Sequence, residues 1–248
     1  MNEVLIIAGL VAGGLAAAEV GYRFGSRFHP KDDTFRGQFD IVRGATFALV
    51  AFLIGFAFSG AGSRYVDRLD IIVKEANALG TAWLRTDLLS EPARGQVKAA
   101  LKEFAANQLA LLQSHSWEEA DRLSGKVGEL QRAVWSEAIA GVQSDPSAAR
   151  LVLPALNDVF DLQSAHVAMA HRHLPTPILI VLLVTAALSL VLVGFGNGRS
   201  GRRFLLLDGV YATVLAVALW MTIDLDHPRQ GIIQTSTQPV ADALAQMQ

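Results

Sequence analysis

Two stretches of the sequence gather histidines and carboxylates at spacings that could hold a metal ion. His166, His171 and His173 follow Asp158 and Asp161 by a few helical turns, and Asp224, Asp226 and His227 crowd into DLDHPRQG. Carboxylate oxygens beside an imidazole would suit a divalent cation. A solvated helix end accounts for the first group more simply. In the second, Pro228 and Gly231 turn the chain and Arg229 sits at the level of lipid headgroups. No metal site and no cofactor is therefore expected. Two other stretches imitate known motifs and fail on context. GFGNGRSG at 194–201 has the glycines of a phosphate loop but no strand before it. HSWEEAD at 115–121 lacks the second histidine one turn on that a zinc-binding helix needs. No catalytic residue emerges, and the chain is not expected to be an enzyme.

The polar residues that remain unexplained lie in apolar company. Glu19 and Asp208 stand inside hydrophobic runs, where an ionisable group is costly and faces a partner or a water-filled cavity. Arg23 is one turn from Glu19 and is the expected partner. Interfacial snorkelling is favoured over an ion path for these acids, and Asp208, deeper in its span, is the better functional candidate. In EANALGTAWLR, residues 75–85, Asn77, Thr81 and Arg85 recur every four positions on one helix face. The preferred reading is a buried hydrogen-bond seam, with Arg85 paired to Asp158 or Asp161, because buried polar groups must be paired. Lining of a water path is the alternative.

The elements that would position these residues are helices, and four of them are membrane spans. Just over half of the 248 residues are hydrophobic. The apolar residues concentrate at 4–20, 44–60, 176–195 and 204–223, each close to the ~20 residues that cross a bilayer. The acidic start MNE argues against a cleaved signal peptide and for a retained first helix. With no cysteine there is neither a disulfide framework nor a thiolate metal site. A net charge of −2 gives no electrostatic footprint for nucleic acid.

The expected fold class is all-α: a polytopic membrane protein with four transmembrane helices and a helical bundle inserted between the second and third. Residues 1–62 hold the first two spans and a basic hinge, 63–174 the bundle, 175–224 the last two spans, and 225–248 a tail. Ser116 with Glu119 reads as a capping box, Pro92 as a first-turn proline, and Asp145–Pro146 as another helix start. The bundle's outer helices read as continuous with the second and third spans, and a short amphipathic helix is expected after Pro239. Arg23, Arg27, Lys31, Arg36 and Arg43 mark one hinge, and Arg199, Arg202 and Arg203 the other. Basic residues near span ends favour the cytoplasm, which would put both hinges inside and the bundle outside, although Arg64, Arg68 and Lys74 reduce the contrast.

On a helical wheel the second span separates into faces. Gly44, Ala48, Ala51, Gly55 and Gly62 form a small-residue stripe; Val50, Ile54 and Phe58, with Phe47, form a bulky face on one side, and Phe52 and Phe56 lie on the other. Close helix packing explains the stripe. A bulky face repeated by symmetry would make a hydrophobic gate that closes by dewetting. In the first span Gly9, Gly13, Ala17 and Gly21, spaced by four, predict a helix-contact stripe.

Together these residues resemble the bestrophin-like domain family of bacterial membrane proteins. The resemblance rests on EANALGTAWLR followed by DLLSEPARGQVKAALKEF, and on DLDHPRQG, with Glu75, Asn77, Gly80, Leu84, Arg85, Asp224, Asp226, Pro228 and Gly231 as the matching residues. The layout is also similar to that of true bestrophins, which are pentameric anion channels with four spans per subunit. This chain differs from them in lacking a dense acidic calcium clasp. The resemblance implies a homo-oligomer, a pentamer by analogy, in a bacterial inner membrane, with the bilayer and inorganic ions as its partners. The leading expectation is an ion-conducting, anion-selective pore lined by the second span, with Val50, Ile54, Phe58, Phe52 and Phe56 as gate candidates. The alternative is a non-conducting sensor or scaffold whose bundle binds a partner or ligand.

Overall fold

In the computed structural model, residues 3–28, 33–114, 116–227 and 231–248 are described. Lys31, Pro228 and Arg229 lie outside the described residues. Those described form only helices: α1 Glu3–Arg27, α2 Asp33–Arg85, α3 Ala93–Gln113, α4 Trp117–Ser144, α5 Ala149–Ala170, α6 Thr176–Ser200, α7 Leu205–Asp226 and α8 Gln238–Gln246, with a 3₁₀ turn at Thr86–Leu88. Four of them, α1, α2, α6 and α7, are long and apolar enough to cross a membrane.

The chain divides into two compact units, one of residues 1–64 and 173–233 and the other of residues 65–172 and 234–248. In the first, α1 and α6 meet through their glycines. A Cβ on Gly194 would strike the carbonyl of Ala18, one on Gly21 the carbonyl of Val191, and one on Gly198 the carbonyl of Tyr22. Ala18 against Gly194 is followed by Tyr22 against Gly198, and Gly21 against Val191 by Gly25 against Phe195, so the two helices run parallel. With little hydrophobic drive between helices in lipid, such backbone proximity supplies the dispersion that joins them. The buried stripe on α1 is Gly14, Ala18, Gly21 and Gly25, rotated from the Gly9–Gly13–Ala17–Gly21 line expected from spacing of four. A Cβ on Gly9 or Gly13 would meet nothing within 4 Å among the described residues. Ala212, Leu215 and Leu219 of α7 and Val50 and Ala57 of α2 complete this core.

The second unit is a helical bundle built on Leu79, Leu101, Phe104, Val134, Leu156 and Val159. Helix α8 docks on it, burying Val240 and Met247. Its helix ends depart from expectation in three places. Ser116 stands at the start of α4, but its side chain makes no capping bond. Asp145 closes α4 rather than opening α5, which begins at Ala149. Helix α2 continues unbroken for 53 residues, whereas α5 ends at Ala170 and α6 starts only after Pro175. The residue before a proline is driven out of the α region, so His173–Leu174–Pro175 could not carry the helix onward.

Candidate functional site

The helical wheel fixes the angles between the residues of α2 but not the direction of the subunit's interior. The structure supplies that direction. Val50 is 1 % exposed and Ile54 half-buried, both packed against α6 and α7 residues of the subunit's own core. Phe52 and Phe56 are 67 % and 68 % exposed, their rings stacked at 6.4 Å on the open side. Phe58 is exposed at the margin. Leu49, Ser59 and Ser63 share the open face with the two phenylalanines, and Gly44, Gly55 and Gly62 beside it have no neighbour within 4 Å. An apolar, partly small-residue face of α2 is thus exposed among the described residues.

Farther along α2, in the bundle, the polar line is exposed. Asn77 and Thr81 face outward and Gly80 has open space before it. No buried seam forms, and Arg85 donates to the carbonyl of Leu151 at 3.1 Å rather than pairing with Asp158 or Asp161. Asp161 instead accepts from Asn157, on its own helix. The apolar residues that surround the line in sequence, Leu79 and Ala82, point the other way, into the core. Leu84 is exposed with the polar line.

The buried polar centre of the bundle lies on the opposite side of α2. Glu75, 0 % exposed, accepts from Gln108 Nε2 at 2.6 Å and from His166 Nδ1 at 3.0 Å. Both carboxylate oxygens are therefore satisfied by helices α3 and α5. Gln108 Oε1 is buried without a hydrogen bond. The sequence marks Glu75 as a motif residue, but its partners stand 33 and 91 positions away and carry no local signal. His166, His171 and His173 do not assemble with Asp158 and Asp161; His166 is taken up by Glu75.

The described residues of DLDHPRQG, 224–227 and 231, are held by polar contacts. Asp226, buried, accepts from Arg64 Nε at 2.8 Å and from the backbone N–H of Leu174 at 2.6 Å. Asp224, also buried, accepts from the backbone N–H groups of Ile232 and Ile233 at 3.0 and 2.9 Å. A Cβ on Gly231 would collide with the Asp224 carboxylate, so the returning chain needs glycine there. His173 donates from Nδ1 to the Asp226 carbonyl at 3.0 Å, and its ring stacks on that of His227 at 4.6 Å. Ring nitrogens of both histidines and a carboxylate oxygen of Asp226 lie within 4.8 Å of one another. The guanidinium of Arg64 already neutralises that carboxylate. Asp224 turns away into the backbone, so the Asp224–Asp226–His227 cation set does not converge.

The two intramembrane acids are both paired. Glu19 receives Arg23 Nε at 2.9 Å and Arg203 Nη1 at 2.8 Å. The hydrogen bond to Glu19 pushes the Arg203 pKa up, and the guanidinium also lies 4.1 Å over the Tyr22 ring. Asp208, buried in the first turn of α7, accepts twice from Asn197 Nδ2, at 2.8 and 3.1 Å. A carboxylate at a helix N-terminus gains further from the helix dipole. These contacts tie the last hinge together.

Comparison with known proteins follows from this geometry. A family model described as a bestrophin-like domain matches residues 9–240. The chain belongs to the bestrophin-like family. Solved structures of a bacterial bestrophin homologue from Klebsiella pneumoniae have the same fold. One single-residue variant is 12 % identical, with a TM-score of 0.67, covering 100 % of this chain and 97 % of its own. A second is 14 % identical at a TM-score of 0.68, covering 99 % and 94 %. The form solved by Zn-SAD phasing is 13 % identical at 0.67, covering 98 % and 97 %. Among curated proteins none matches the sequence.

In this bestrophin-like chain the motif residues sort by task. Glu75 holds the bundle centre, and Asp224, Asp226 and Gly231 hold the end of α7, each by contacts already described. Asn77, Gly80 and Leu84 touch nothing comparable and lie on the open face of α2.

Proposed function

We propose that this bestrophin-like protein assembles as a closed ring, a pentamer by analogy with bestrophins, and conducts ions along an axis lined by α2. One observation carries the reading: α2 presents an exposed face that is apolar at Phe52 and Phe56, small at Gly44, Ala48, Ala51 and Gly55, and polar at Asn77 and Thr81. A single four-span subunit encloses little water, and closed symmetry is the usual way to complete a pore from such a face. The small-residue stripe lets neighbouring α2 helices approach, and the stacked phenylalanines beside it form the constriction, which opens and closes by wetting. Val50 and Ile54 support that face from behind. Asn77 and Thr81 offer dipoles to ions in the bundle's vestibule. Anion selectivity is carried by the bestrophin resemblance. The mass of the detergent-solubilised protein, corrected for bound detergent, tests the assembly: a five-fold multiple of 26.6 kDa is expected, and a monomer would overturn it.

A further inference from the structure

Arginines crowd the hinge end of the membrane unit, and three of them are paired with carboxylates. Arg23 and Arg203 share Glu19, and Arg43 pairs with Asp40 at 3.1 Å. Arg27 and Arg199 have no carboxylate partner among the described side chains. Arg27 lines a groove, a cavity of about 350 Å³, together with Phe24, Phe28, Phe35 and Phe195, and Arg199 reaches it through one of those rings. The Arg199 guanidinium lies 4.7 Å over the Phe35 ring. Phe28 stands 5.3 Å from Phe35 and 6.0 Å from Phe195, so the floor is a continuous aromatic surface. Phe24 and Phe28 remain 64 % and 47 % exposed.

We infer that this groove is a binding site for an anionic glycerophospholipid, its acyl chain against the phenylalanines and its phosphate between Arg27 and Arg199. The position at the end of the spans puts the aromatics at acyl depth and the guanidinium groups at headgroup depth, where arginine side chains settle. Basic pockets between membrane helices suit anionic headgroups, and guanidinium binds phosphate through paired N–H donors. Charge complementarity selects this occupant over a second copy of the chain, whose hinge would add arginines to an already basic rim. The inference concerns α1, α2 and α6 only and does not depend on ion conduction.

Native mass spectrometry of the full-length protein with dioleoyl phosphatidylglycerol against dioleoyl phosphatidylcholine tests it. Retention of phosphatidylglycerol over phosphatidylcholine is expected. About a fivefold loss of that preference should follow each of Arg27→Gln and Arg199→Gln, with Arg36→Gln, a hinge arginine that does not line the groove, leaving it unchanged. Equal binding of the two lipids, or an equal loss in Arg36→Gln, would overturn the site. If a variant fails to fold, a photoactivatable phosphatidylglycerol on the wild-type protein decides. Label in the peptides carrying Phe24, Phe28 and Phe195 supports the site, and label elsewhere overturns it.

Discussion

His166 Nδ1 lies 3.0 Å from Glu75 Oε2 in the closed interior of the bundle, across 91 positions of sequence. The contact joins α5 to α2, and Gln108 joins α3 to the same carboxylate. Removing the shared acceptor strands two buried donors, at about 1–3 kcal/mol for each unsatisfied group. Glu75→Ala is therefore expected to lower the midpoint of thermal unfolding strongly, and His166→Ala somewhat less, since Gln108 still satisfies Oε1. Unfolding followed by circular dichroism checks this; an unchanged midpoint in Glu75→Ala would contradict it.

The parallel contact of α1 with α6 gives a second prediction. Gly194→Ala forces a methyl group into the backbone of Ala18 and should cost about 1–3 kcal/mol or more, since overpacking against main chain has no easy relief. Gly9→Ala adds the same methyl where nothing lies within 4 Å and should be neutral or slightly stabilising. The yield of folded protein and its thermal midpoint distinguish the two. Equal effects would show that the buried stripe has been misplaced.

At the end of α7, Asp224 accepts two backbone N–H groups and Gly231 leaves room for it to do so. Asp224→Ala strands those donors, and each buried unsatisfied group costs about 1–3 kcal/mol. Gly231→Ala pushes the carboxylate off its donors and should produce a similar loss. Faster amide hydrogen exchange at Ile232 and Ile233 in both variants is the expected readout; unchanged protection there would contradict the role of Asp224.

Val50 and Phe52 are two residues apart and should behave oppositely. Val50→Ala empties part of the subunit core, at about 1–2 kcal/mol for the methyl groups lost, and should lower stability without opening a pore. Phe52→Ala removes an exposed ring, so the isolated subunit loses little. Stability and liposome flux measured together on both variants separate the roles.

That contrast also marks what could be read from sequence. Uninterrupted apolar runs identify the four spanning helices, because length and hydropathy are local properties. Helix phase is not. Val50, Ile54 and Phe58 form as good a line as Phe52 and Phe56, and in lipid both faces of a span are apolar, so composition gives no sign of which one turns inward. The same ambiguity made Asn77 and Thr81 read as a seam: their neighbours are apolar, but those neighbours face the core on the opposite side. On α1 the spacing of four misses the buried line by one position because the real contacts, Gly14, Ala18, Gly21 and Gly25, alternate steps of four and three, as a 3.6-residue turn requires. Arg64 with Asp226, 162 positions apart, is beyond any local pattern.

On the proposed reading, α2 lines a pore whose constriction is the Phe52–Phe56 face. Chloride and potassium flux from liposomes holding the purified protein, beside a Phe52→Ala/Phe56→Ala variant, tests it most directly. Measurable flux is expected in the wild type, larger for chloride, with a several-fold rise in the variant as the dewetted segment widens. No flux from either protein when both are folded, or a rise with Val50→Ala/Ile54→Ala and none with the phenylalanine pair, would contradict it.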